Sequence, residues 1–138
     1  MKTNAAIATA LITAGLGIGT GSTVANAASW HNGTPSALRG KWKTKTYHNR
    51  FVSGYSRTYI TKHSIHTQTH TIGGSSDNMP PIIEHAKYRY LGNHLYTFKG
   101  TMYGGNIKTT CLVKWKSHHH IVINPKWGHN PSENYYRY

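Results

Sequence analysis

Polar and apolar positions alternate with period two along residues 38–47, and this stretch is the clearest pattern in the chain. The more apolar face carries Leu38, Gly40, Trp42, Thr44 and Thr46. The opposite face carries Arg39, Lys41, Lys43, Lys45 and Tyr47. Because successive side chains of a strand point to opposite faces, the pattern predicts a half-buried first strand with a Trp inside and a row of cations in water.

Later stretches also favour extended backbone. Residues 55–72 are rich in Thr and His, and their pattern leaves open whether they form one strand or two. Residues 73–81 form the longest predicted break between strands, because nearly every position favours a turn. A hairpin turn is predicted at Gly92-Asn93. The second half predicts strands at 82–91, 95–103, 106–116 and 121–123.

Strands joined by tight turns pair as antiparallel neighbours, and the edges of an open sheet would aggregate. The sequence therefore predicts an all-β fold, a small antiparallel up-and-down barrel of seven or eight strands. We expect one domain over residues 28–138, with a lead-in loop at 28–37 and a polar tail at 125–138.

The N-terminus has the pattern of a secretory signal peptide over residues 1–27. Lys2 supplies a charged start, residues 5–18 are apolar and uncharged, and small residues precede a predicted cleavage before Ala28. The apolar run is short and rich in Gly, Ala and Thr, whereas a membrane span needs about 20 strongly apolar residues. The sequence thus predicts a secreted protein without a transmembrane span after cleavage, and we expect it to be associated with a cell wall.

Charge narrows the range of partners. The 138 residues contain 16 Lys and Arg but only 3 Asp and Glu, for a formal net charge of +13, and the 11 His add positive charge in mildly acidic surroundings. Such a chain attracts polyanions, of which anionic cell-wall polymers and lipid headgroups suit an exported protein best. Nucleic acid is disfavoured as the main partner by the predicted export. The predicted anion-binding cations are Arg39, Lys41, Lys43, Lys45, Lys108, Lys114 and Lys116.

Metal and catalytic motifs are sparse. The candidate metal ligands are His63, His66, His70, His118 and His120, but His66 and His70 would lie about 13 Å apart on a strand, and carboxylates to support such a site are scarce. Cys111 is on the apolar face of its strand and is predicted to be a small core residue. With three dispersed acidic residues, paired-carboxylate catalysis is nearly excluded. We expect no enzymatic activity, no cofactor and no specific metal site.

Gly40-Lys41-Trp42 at the start of the first strand resembles the G-x-W signature of lipocalins and related calycin barrels. The longer stretch from Trp30 to Trp42 resembles the opening of small secreted lipocalin-like proteins of lactobacilli, which begin with a similar G-T-P-x-A-L-R-G-x-W run. The resemblance implies a barrel in which Gly40 and Trp42 are structural residues and the Trp closes one end. It implies no particular activity.

The sequence leaves three functions open. The first is a basic, non-enzymatic binding protein held electrostatically on anionic cell-envelope polymers. The second is a lipocalin-like carrier of a small apolar ligand, and the third is a cationic antimicrobial protein or an enzyme inhibitor. The possible ligand cavity of a carrier would be lined by Trp42, Tyr96, Phe98, Val113 and Trp115.

Overall fold

A computed structural model describes residues 29–102 and 104–138, so the predicted signal peptide lies outside the described residues. A single turn of 3₁₀ helix spans Ser36–Leu38. The strands are β1 (His31–Asn32), β2 (Gly40–Lys43), β3 (Tyr47–His48), β4 (Ser53–Ile60), β5 (Ile65–Thr71), β6 (Ser76–Tyr90), β7 (Leu95–Met102), β8 (Ile107–Ser117), β9 (His120–Asn124) and β10 (Glu133–Arg137).

Eight of these strands close into an antiparallel barrel. Around it they follow the order β2-β4-β5-β6-β7-β8-β9-β10, and β10 returns to pair with β2, with Arg137 opposite Trp42. Each strand thus lies beside its neighbours in sequence, as in an up-and-down barrel, while β1 pairs with β6 and β3 pairs with β4 outside this ring. The predicted fold class is confirmed.

The predicted polar tail at 125–138 is wrong for its last residues, because Glu133–Arg137 is the strand that closes the barrel. Its five residues are mostly polar, so their alternation is weak. What makes them a strand is the pair of open edges on β9 and β2, which offer backbone hydrogen bonds on both sides.

Three other boundaries differ from expectation. The first strand is shorter than predicted, because Leu38 belongs to the 3₁₀ turn and β2 ends at Lys43. The lead-in loop at 28–37 contains the short strand β1. The predicted break at 73–81 ends early, since β6 starts at Ser76 and runs through Pro80 and Pro81. Both prolines lie where the pairing of β5 with β6 shifts register, so their missing N–H groups are not needed.

The interior of the barrel is filled by its own side chains, as the width of an eight-stranded barrel allows. One cluster comprises Leu38, Trp42, Ile60, Ile65, Ile83, Ala86, Phe98, Cys111, Val113, Ile121, Ile123 and Tyr135. At one end the lining becomes polar: Thr58 and Thr67 hydroxyls lie 2.7 Å apart and Ser56 and Thr69 hydroxyls 3.2 Å apart. This end holds a depression of about 70 Å³ beside Tyr135.

Trp42 and Arg137 are direct cross-strand partners on β2 and β10, and Trp42 is also paired with Thr58 on β4. The indole Nε1 of Trp42 donates a hydrogen bond to the carbonyl oxygen of Leu38 at 2.8 Å, and the guanidinium of Arg137 lies 4.2 Å from the centre of the ring. That guanidinium also donates to the carbonyls of Arg39 (2.8 Å), Ala37 (3.0 Å) and His118 (2.8 Å). Gly40 has φ +135°, and a Cβ there would lie 2.5 Å from Arg137 Nη1, so glycine makes room for this contact.

Two buried groups make the folded protein less stable at alkaline pH. Burial raises the pKa of the Cys111 thiol, and burial followed by the charge of Glu133 raises the pKa of the Tyr135 hydroxyl. An unfolded chain ionises Cys near pH ~8.5 and Tyr near pH ~10, so above these values it releases protons that the folded chain retains. The contribution of these two groups to the free energy of unfolding is therefore fully present below pH ~8.5 and decreases as the pH rises.

We expect the free energy of unfolding to drop by about 2 kcal/mol between pH 8 and pH 10 through Cys111 alone, at about 1.4 kcal/mol per pH unit. Urea unfolding at both pH values measures this loss. Cys111→Ala, although less stable at pH 8, should lose correspondingly less stability between the two. Equal losses in the two proteins would contradict the assignment to the thiol.

Candidate functional site

The outer surface of β10, β2 and β4 carries a continuous set of cations and aromatic rings, which we name the front wall. Its members alternate with inward residues such as Trp42 and Thr58, so the barrel strands hold them facing outward. The front wall consists of Lys41, Lys43, Lys45, Tyr55, Arg57, Tyr59, Tyr136 and Tyr138.

The strand register arranges these side chains in a row across the barrel. Lys43 lies between Tyr136 on β10 and Arg57 on β4, each of them its direct cross-strand partner. The same row continues to His120 on β9 and to Gln68 on β5. Since neighbouring strands are about 4.8 Å apart, five such positions cover a strip roughly 20 Å long.

Aromatic rings separate the cations of the front wall. Lys43 Nζ lies 4.1 Å from the centre of the Tyr55 ring, and the Arg57 guanidinium lies 5.1 Å from the same ring. Arg57 also lies 5.6 Å from the Tyr138 ring, and Lys45 Nζ is 5.7 Å from the Tyr136 ring. Cations at these distances are attracted by the negative ring faces, which lets like charges crowd together.

Two histidines border the front wall by stacking on its tyrosines. The His70 and Tyr55 rings are 5.1 Å apart and the His120 and Tyr136 rings 4.8 Å apart, both pairs nearly parallel. His70 Nδ1 lies 2.6 Å from the Ser76 hydroxyl. The faces of these tyrosine rings are therefore covered by nitrogen-bearing side chains.

Two phenols, those of Tyr59 and Tyr138, are hydrogen-bonded to each other at one end of the wall. Tyr138 donates a hydrogen bond to the Tyr59 oxygen at 3.3 Å, and this bond, together with the charges of Arg57 and Lys41, lowers the pKa of Tyr59 despite some desolvation. Burial and that same hydrogen bond raise the pKa of Tyr138 to about 12.

The positive charges of the front wall are not balanced by Asp or Glu side chains of the described residues. Lys43 and Arg57 are directly opposite on adjacent strands, an arrangement that destabilises a sheet when both charges share a sign. The Nε of Arg57 is buried and has no hydrogen-bond partner in the described part of the chain. All three carboxylates lie elsewhere: Asp77 and Glu84 on β6, and Glu133 in the inward register of β10 near the Tyr135 hydroxyl.

The predicted cations do not form one surface. Lys41, Lys43 and Lys45 belong to the front wall, whereas Lys108, Lys114 and Lys116 project from β8, three strands away. Arg39 was predicted to bind anions but is occupied within the protein, where its Nη2 donates to the Thr34 carbonyl at 2.7 Å.

Sequence reasoning missed Arg57 and the four tyrosines. The run Tyr55-Ser56-Arg57-Thr58-Tyr59 has the same period-two alternation as the first strand, which could have identified its outward residues.

The predicted ligand-cavity residues belong to the packed interior. Trp42, Phe98 and Val113 each have no exposed surface, and Tyr96 and Trp115 pack against the same cluster. At these positions, neighbouring side chains occupy the space that an apolar ligand would need. Burial also raises the pKa of Tyr96.

The candidate metal ligands are dispersed over the barrel. His63 is exposed in the β4–β5 turn, His66 and His70 lie on the outside of β5, and His118 and His120 belong to the β8–β9 hairpin. Within residues 29–102 and 104–138, no three His, Cys, Asp or Glu side chains come together as a possible metal site. His120 Nε2 instead pairs with the Asn134 amide oxygen at 2.8 Å.

None of the helical structure among the described residues is long and apolar enough to cross a membrane. Comparisons with protein-family models, curated proteins and solved structures find no match to this chain. The likeness to lipocalin-like proteins of lactobacilli therefore stays a prediction.

Proposed function

We propose that this protein is a non-enzymatic, cationic binding protein that attaches to anionic cell-envelope polymers through the front wall. The observation that carries the proposal is the Lys43–Arg57 pair, two like charges held directly opposite each other with the Nε of Arg57 buried and unpartnered among the described residues. A phosphate or carboxylate between them removes the repulsion and accepts hydrogen bonds from the guanidinium.

A polymer fits this surface better than a single small anion. The cations of the front wall are distributed along a strip that crosses several strands, with tyrosine rings between them. A chain of regularly spaced anions can engage Lys45, Lys43 and Arg57 at once, and each contact releases a counterion.

Cell-envelope polymers are the proposed source of these anions because residues 1–27 have the pattern of a signal peptide. The carrier function has less support, since the interior is filled at the positions that would line its cavity. Localisation outside the cell, with retention on a wall, is part of this proposal.

The test is binding of the purified barrel to poly(glycerol phosphate) as a function of salt concentration. We expect the affinity to fall steeply with salt, and Lys41→Gln/Lys43→Gln/Lys45→Gln to flatten the slope of log K against log salt by about 2, at roughly 0.7 per lost contact. The matched control is Lys108→Gln/Lys114→Gln/Lys116→Gln on β8, which removes the same charge from another surface.

Both triple variants should melt close to the unchanged protein, since five of the side chains project from the outer faces of β2 and β8 and Lys45 is an exposed residue just after β2. Equal losses of affinity in the two variants would show that net charge alone drives binding and would contradict a specific front wall. Binding to vesicles of anionic lipid but not to the polymer would contradict the proposed partner.

A further inference from the structure

We infer that a second anion-binding surface lies on the opposite side of the barrel, so that one protein molecule bridges two polyanion chains. This inference rests on the proposed function and extends it from attachment to cross-linking. We name the surface the rear wall and define it as Trp30, Lys87, Arg89 and Lys99, on and beside β6 and β7.

The rear wall repeats the arrangement of the front wall. Lys99 Nζ lies 4.0 Å from the centre of the Trp30 ring and the Arg89 guanidinium lies 5.0 Å from it, so one ring again holds a lysine and an arginine. Lys87 on β6 is the direct cross-strand partner of Lys99 on β7, which again places like charges opposite each other. The Nε of Arg89 is buried without a hydrogen-bond partner in the described chain, as is that of Arg57.

The position of Trp30 on the rear wall follows from the pairing of β1 with β6. Strand β1 pairs with β6 through His31 opposite Tyr88 and Asn32 opposite Lys87, which brings the preceding residue, Trp30, level with Arg89. The His31 and Tyr88 rings are 5.2 Å apart and help to hold this segment. The stretch that sequence patterns predict as a lead-in loop therefore supplies the aromatic component of the rear wall.

One carboxylate is nearby. Glu84 is also on β6 and pairs with Thr101 on β7, two residues beyond Lys99. It leaves an excess of positive charge on the rear wall, because Lys87, Arg89 and Lys99 outnumber it. We therefore expect the rear wall to bind more weakly than the front wall, which contains no Asp or Glu side chain among the described residues.

Barrel topology separates the two walls. In the closed order β2-β4-β5-β6-β7-β8-β9-β10, strand β7 is four strands from β2 in either direction, so Lys99 and Lys43 project from opposite sides. A single short segment of polymer cannot contact both. Two chains, or two distant parts of one chain, are needed to fill the two walls.

Stoichiometry of a short linear oligophosphate, measured by isothermal titration at low salt, tests the inference. The unchanged protein should bind two oligomers. Lys41→Gln/Lys43→Gln and Lys87→Gln/Lys99→Gln should each bind one, while the matched control Lys114→Gln/Lys116→Gln, further along β8 from Lys99, should still bind two. With long polyphosphate, the unchanged protein and the control should form large light-scattering complexes, which both wall variants should fail to form.

A single site that is lost in the front-wall variant would overturn the bridging inference and leave the proposed function standing. Two sites that persist in the rear-wall variant would also overturn it, because the second site would then lie elsewhere. No binding at all at low salt would contradict the proposed function and the inference together.

Discussion

Replacing Trp42 with alanine is expected to unfold the barrel or to lower its free energy of unfolding by about 3–5 kcal/mol. The side chain is fully buried within the central cluster, and its truncation leaves a large void among well-packed neighbours. It also removes the hydrogen bond to the Leu38 carbonyl and the ring beneath the Arg137 guanidinium. These losses coincide in a small domain, whose total stability is typically only about 5–15 kcal/mol.

Urea unfolding followed by circular dichroism measures this effect. Trp127→Ala is a matched control, because Trp127 is 44% exposed and its truncation should change stability by less than about 0.5 kcal/mol. If Trp42→Ala melts like the unchanged protein, or no lower than the control, Trp42 does not stabilise the core as described.

Arg137→Ala should have the second-largest effect, a loss of about 3 kcal/mol. Its guanidinium donates to three backbone carbonyls from two parts of the chain, and hydrogen bonds with a charged partner contribute about 1.5–3 kcal/mol each without being additive. The contact with the Trp42 ring adds to this. Without Arg137, the 3₁₀ turn, the β8–β9 hairpin and β10 lose their common link.

The control for this prediction is Arg50→Ala, which removes the same charge from an exposed loop. Arg137→Lys separates charge from geometry: lysine keeps the positive charge but cannot present the planar fork, so we expect it to restore less than half of the lost stability. Full stability in the lysine variant, or equal losses at positions 137 and 50, would refute the linking role of Arg137.

Local patterns predicted much of this fold because they act over short distances. The alternation around Trp42 and along β8 correctly places Trp42, Cys111 and Val113 inside, whereas Ile107, which it also predicts to face inward, is 41% exposed. The hairpin turn predicted at Gly92-Asn93 forms one residue later: Asn93 and His94 both have positive φ, and the Leu95 N–H donates to the Gly92 carbonyl at 2.9 Å. Strand β10 escaped prediction because its pairing depends on the two strands beside it rather than on its own composition.

Which residues form the candidate site depended more on tertiary structure than the fold class did. By itself, the sequence determined an all-β chain with a strong positive charge, a buried Trp42 and lysines facing water, since period-two side-chain alternation and composition are local properties. Only the closed barrel decided which cations share a surface. Cross-strand register brought Arg57 beside Lys43, strand order put Lys108, Lys114 and Lys116 elsewhere, and barrel closure joined Arg137 to Arg39, 98 residues away. Such proximities arise from long-range backbone pairing, which no local pattern encodes.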